Sequence, residues 1–189
     1  MRPINNLIMK IFIALLFLTF SFQTWTKAED IKDFEIEGMS IGDSLLDYFD
    51  KSYLKKAKRY DSTNTAWKDD KMFELRTKKK GSYAEIMFGL KKNDRKYTIY
   101  SISGLVKMEN NIKECYQKQK DIAEEINELF PSIKKKNKNI KHRSDPTGKS
   151  TIKEIYFVFN EEKIISDKIS VACYDWSKKM KYWDNLRIT

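Results

Sequence analysis

The sequence predicts an α+β protein in which two helices pack on an antiparallel sheet, in the order β-α-β-β-β-α-β-β-β, as a two-layer sandwich. Three observations predict it. One long stretch repeats apolar residues at three- and four-residue steps, several short stretches alternate apolar and polar residues, and turn-forming pairs separate them.

Phe34-Glu35-Ile36-Glu37 alternates as a short strand. Ser40-Ile41-Gly42-Asp43 then has the spacing of a capping box, and Ile41, Leu45, Phe49 and Leu54 form the stripe of a helix running to about Lys58. Strands follow at Met72–Thr77, Ser82–Leu90 and Tyr97–Lys107, with Lys80-Gly81 and Asn93-Asp94 as turns of an antiparallel meander. The clearest helix runs from Ile112 to Phe130. Its stripe is Ile112, Cys115, Tyr116, Ile122, Ala123, Ile126, Leu129 and Phe130, with Asn111 and Glu114 at its start and Pro131 stopping it. Thr151–Asn160, Ile169–Asp175 and Tyr182–Ile188 alternate again. A helix and three strands are thus written twice.

The N-terminus bears on location. Ile11 to Phe22 is a run of twelve mostly large apolar residues behind Arg2 and Lys10. As a helix it spans roughly 18 Å, short of the ~30 Å bilayer core. With Thr26-Lys27-Ala28 at the cleavage spacing, residues 1–28 read as a secretory signal peptide cut after Ala28. Ser21 offers a second site, an uncleaved anchor is the alternative, and Met9 heads a similar signal of its own. The mature chain, 29–189, is then one domain, periplasmic or secreted.

Positive charge is concentrated. The chain has 37 Lys and Arg against 27 Asp and Glu. Between Pro131 and Ser150 stand Lys134, Lys135, Lys136, Lys138, Lys141, Arg143 and Lys149 against the single acid Asp145. This stretch reads as a basic loop able to bind an anionic envelope polymer, lipid headgroups or another envelope protein. The bland alternative is a solvated connector. Export makes nucleic acid an improbable partner.

"DPTGKST" at 145–151 carries the tail of a phosphate-cradling loop. The complete motif needs a glycine five residues before Gly148, where Arg143 stands, and a following helix, where an alternating strand is expected. No nucleotide is expected, and the stretch reads as a turn. Ser-x-x-Lys occurs at Ser52/Lys55, Ser132/Lys135 and Ser150/Lys153, as chance allows in a Lys-rich chain. One His and two Cys make no zinc site without distant carboxylates, so neither metal nor cofactor is expected. His142 falls in the basic loop with nothing to orient it as a catalytic base. Tyr174, Trp176, Tyr182 and Trp183 flank the last hairpin; burial at strand ends accounts for them more simply than sugar stacking.

Cys115 lies in the helical stripe, and Cys173 has the parity of Ile169 and Val171 on its strand, so both thiols face the layer between helix and sheet. A disulfide is expected in an oxidising compartment, with two buried free thiols as the alternative.

The stretches "FEIEGMSIGDSLLDYF", "SGLVKMENNIKECYQKQ" and "CYDWSKKMKYWDNLRIT" resemble uncharacterised exported proteins of AT-rich marine alphaproteobacteria. That resemblance implies export and no particular activity. Gly38-Met39-Ser40, followed by a helix and a meander, is similar to the small lipoprotein of the outer-membrane β-barrel assembly machine, although this chain has no lipid-attachment cysteine near its cleavage site. The reading that results is an exported, non-catalytic binding or scaffold protein. An envelope hydrolase acting on glycan or peptide, and a structural module without ligand, are the alternatives.

Overall fold

The computed structural model describes residues 30–61, 71–109, 111–160 and 167–189; the expected signal peptide lies outside them. Eight antiparallel strands form one sheet: β1 (Lys58–Asp61), β2 (Met72–Lys80), β3 (Tyr83–Lys91), β4 (Ser101–Lys107), β5 (Lys134–Lys141), β6 (Thr151–Val158), β7 (Lys168–Asp175) and β8 (Asn185–Ile188). Their spatial order is β1-β2-β3-β4-β8-β7-β6-β5. Helix α1 (Lys51–Lys56) precedes the first four strands and α2 (Ile112–Leu129) the last four. The chain therefore writes a helix and four strands twice, and the two meanders join where β4 pairs with β8, from Gly104↔Ile188 to Lys107↔Asn185.

The α+β class holds, but among the described residues only α2 is a helix of more than two turns. The helix expected from Ser40 to Lys58 is replaced by a 3-10 turn at Leu45–Asp47 and the six residues of α1. Its backbone is engaged elsewhere. Gly42 takes φ +98°, and its N–H donates to Ile99 O; Ile99 N–H donates to Asp43 O and Leu45 N–H to Tyr97 O. Asp43 does accept from Ser40 N–H, as a capping box would, but it also takes the Tyr48 hydroxyl at 2.7 Å, which pushes that phenol up to about 12. The expected first strand is a tight turn instead: Ile36 and Met39 exchange backbone hydrogen bonds around Glu37 and Gly38, both at positive φ.

The expected basic loop is largely β5. It pairs along its full length with β6, from Lys134↔Val158 to Lys141↔Thr151. KKKNKNIK shows no apolar alternation because an edge strand with both faces largely exposed has no buried side to mark. Its strand conformation comes from the ladder with β6. The lysines also suit the edge itself, since charge there opposes pairing with another chain.

One face of the sheet carries the core. Phe73, Leu75, Ile86, Phe88, Ile102, Phe157, Ile169, Val171, Leu186 and Ile188 are buried there with Ile36, Met39, Leu45 and Leu54 of the N-terminal segment and with α2. Helix α2 buries Cys115, Gln119, Ala123 and Ile126, while Leu129 of the expected stripe is half exposed. Gln119 is 1% exposed, and its Nε2 donates at 2.7 Å to both Lys153 O and Val171 O, tying the helix to β6 and β7. Four residues earlier, Cys115 forms a disulfide with Cys173 of β7.

Because that bridge closes a long loop, its loss should cost about 2–4 kcal/mol. Urea unfolding of a Cys115→Ala/Cys173→Ala variant checks the value, and the oxidised native protein should titrate no thiol. Unchanged stability, or two reactive thiols, would contradict the pairing.

Candidate functional site on the open face of the sheet

Strand alternation sorts the side chains. Residues in register with the core rows face α2 and the N-terminal segment; those between them face the other way. On that open side one row runs Ile140, Ile152, Tyr174, Asn185, Lys107, and the next runs Lys138, Glu154, Ala172, Arg187, Leu105, Glu85, Lys78. The third runs Lys136, Tyr156, Ser170, Thr189, Ser103, Met87, Arg76, Lys58, joined at its centre by Ser103 and Thr189 hydroxyls 2.9 Å apart. With Lys91, Lys134 and Lys168 of the remaining positions, ten described cations share this face with three acids, Glu74, Glu85 and Glu154. All three acids are already paired: Glu74 and Glu85 with Arg76, and Glu154 with Lys168 at 2.8 Å. Helix α2, covering the opposite face, has five acids to three lysines. The molecule is basic on its open side and acidic along its helix.

Alternation also divides the seven expected binding residues. Lys134, Lys136 and Lys138 lie on the open face; Lys135 and Lys141 are on the helix side of the same strand. Arg143 and Lys149 belong to the turn after β5.

Aromatic rings gather at one end of the open face. His142 lies 4.3 Å from Trp176, which is 6.1 Å from Tyr174 and 4.9 Å from Tyr182. The Arg187 guanidinium is 5.0 Å from the Tyr174 ring, and Lys107 Nζ is 3.9 Å from that of Trp183. Tyr182 and Trp183 are more than half exposed, contrary to the expectation of burial. The β7–β8 connection holds them out: Asp184 is buried, its Oδ1 accepts from Trp176 N–H at 2.9 Å, and the two rings just before it are turned to solvent. Three buried polar atoms here have no partner: Trp176 Nε1, Asn185 Oδ1 and Arg187 Nε. Such atoms are costly to leave unpaired, and they mark this end of the sheet as under-satisfied.

His142 is oriented after all. Its ring is held against Trp176, and its Nδ1 accepts from Ser144 N–H at 3.2 Å. Burial, then Arg187, lowers its pKa below the ordinary value of 6.5, with Asp145 opposing.

The turn containing GKS is filled from within. Asp145 accepts from Thr147 N–H, Ser150 N–H and the Ser150 hydroxyl, at 2.8, 2.8 and 2.6 Å. Those bonds, the Ser150 hydroxyl first, hold its carboxyl far below the usual range. The chain's own carboxylate thus takes the donors near Gly148, and strand β6 follows. Ser150 is fully buried, and its Oγ also accepts from Ser177 N–H, so it is no exposed nucleophile. Lys153, its Ser-x-x-Lys partner, places its ammonium over Tyr116. Burial, then the neighbouring charge of Asp184, raises the pKa of Asp175 above the ordinary carboxylate value.

No family model, curated protein or solved structure matches the chain.

Since the folded-state pKa of His142 lies below 6.5, the unfolded chain takes up its proton first on acidification. Its contribution to stability is complete above pH 6.5 and is lost as pH falls through 6.5 toward the folded value. NMR titration should place His142 below 6.5, and the fall in urea midpoint between about pH 7 and about pH 5.5 should flatten in His142→Phe. A midpoint above 6.5 would contradict the stacked, partly buried ring.

Proposed function

We propose that this is an exported, non-catalytic binding protein that takes an acidic, sugar-bearing polymer of the cell envelope on the open face of its sheet. The observation that carries the reading is the composition of that face: ten described cations, with its three acids already paired, ending in exposed aromatic rings. Phosphates or carboxylates of the polymer would meet Lys107, Lys138 and Arg187, while its sugar rings would stack on Trp183 and Tyr182. Export rests on the apolar N-terminal run, and the Cys115–Cys173 bridge is in keeping with an oxidising compartment. The resemblance to exported alphaproteobacterial proteins points the same way.

Binding to lipopolysaccharide should weaken steeply with salt as the Debye length contracts from about 10 Å at 0.1 M to about 3 Å at 1 M. Lys134→Gln/Lys136→Gln/Lys138→Gln should weaken it about tenfold or more at low salt, and Lys135→Gln/Lys141→Gln, on the other face, by much less. Melting temperatures should stay close to that of the parent, because exposed charges contribute little to folding. Equal losses from the two variants, or salt-insensitive binding, would reject the open face.

A further inference from the structure

At the far end of the sheet from the aromatic cluster, a cavity of about 490 Å³ opens between α1, β1, the start of β2 and the β3–β4 connection. Its size lies within the roughly 300–1,000 Å³ of small-ligand sites. Its walls hold four cations, Lys51, Arg59, Lys91 and Arg95, and one acid, Asp94. The acid is turned to its own backbone: Oδ1 accepts from Lys96 N–H at 2.9 Å and Oδ2 from Thr98 N–H at 3.0 Å, bonds that lower its pKa. Among the described residues none of the four cations is in an ion pair.

Lysine is common throughout this chain, so a lysine in a wall says little. Arginine is not: the chain has six, and two of them, Arg59 and Arg95, line this one cavity. The Arg59 guanidinium is stacked 3.6 Å from the Phe73 ring centre, which fixes its plane beside the cavity. A guanidinium held in that way is suited to bidentate binding of a phosphate. Four like charges around one hollow repel one another, and a bound anion relieves the repulsion.

We propose that this cavity is a second, separate site that binds a phosphate group, either a free small phosphomonoester or the phosphate of a lipid headgroup. Arg59 and Arg95 grip the phosphate oxygens, Lys51 and Lys91 complete the charge, and Phe73 and Tyr97 wall the group that carries it. Of the four cations only Lys91 also stands on the open face of the sheet; Arg59 lies on the opposite face, and Lys51 and Arg95 lie outside the strands.

The test is a thermal-shift and NMR titration of the mature chain with inorganic phosphate, with glycerol 3-phosphate and with phosphatidate vesicles, each against chloride at matched ionic strength. Saturable binding is expected, with amide shifts around residues 91–97. Arg59→Gln/Arg95→Gln should lower affinity about tenfold or more, since two charge-assisted contacts are lost. Lys51→Gln/Lys91→Gln, which leaves the Arg59–Phe73 stack in place, should give a smaller loss, and Lys134→Gln/Lys136→Gln/Lys138→Gln none. A response to the soluble esters assigns the free ligand, and a response to vesicles alone assigns the headgroup. Absence of saturation by all three probes up to about 10 mM phosphate would overturn the site. Undiminished binding by both cavity variants, or its loss in the β5 variant, would overturn it equally.

Discussion

The large apolar cover of this eight-stranded sheet lies on one side. The N-terminal segment covers β1–β4 and α2 covers β6–β8, and both press on the same face. A sheet packed in this way needs an opposite face that tolerates water, so polar and charged residues alternate with the core positions. The β4–β8 seam makes the arrangement continuous. Through it, Leu186 and Ile188 join the core rows of the two halves, while Asn185 and Arg187 join their open rows. One strand thus serves the core with alternate residues and the candidate site with those between.

Charge follows the same division. The acids of α2 lie over the core layer, and the open face has its few acids already paired, so that face is basic while the helix across the core from it is acidic. Net charge alone would not predict this, because a Lys-rich chain can scatter its lysines evenly. The lysines of β5 have two roles that need not compete. They keep an unpaired edge from recruiting another strand, and three of them extend the basic face.

The parts of the fold legible in the sequence were those with a buried face to betray them. Helix α2 showed its stripe, and Cys115 and Cys173 stood on core-facing positions of a helix and a strand that meet. Strand β5 was illegible because neither of its faces is buried, and its conformation depends on residues 151–158 across the ladder. The segment after Ser40 carried a helical stripe, yet Gly42 and the bonds to Tyr97 and Ile99 gave its backbone other partners. Gln119 left no apolar signal, although it is as buried as the cysteine one turn away. Of the open face, Lys134, Lys136, Lys138 and the aromatics of the last hairpin could be named in advance, but not Lys107 or Arg187, which carry no local signal, nor which residues shared a side. His142 meets Trp176 only after the chain has folded, and Lys51, Arg59, Lys91 and Arg95 are brought to one cavity by four different parts of the fold.

The most direct test of the account is an amide footprint of an acidic glycan on the folded protein, by hydrogen exchange or NMR. Binding on the open face requires perturbation centred on β8, the facing residues of β4 and β7, and the 176–184 connection, with α2 unaffected. Perturbation centred on α2 and the N-terminal segment, with Lys107, Trp183 and Arg187 silent, would contradict it.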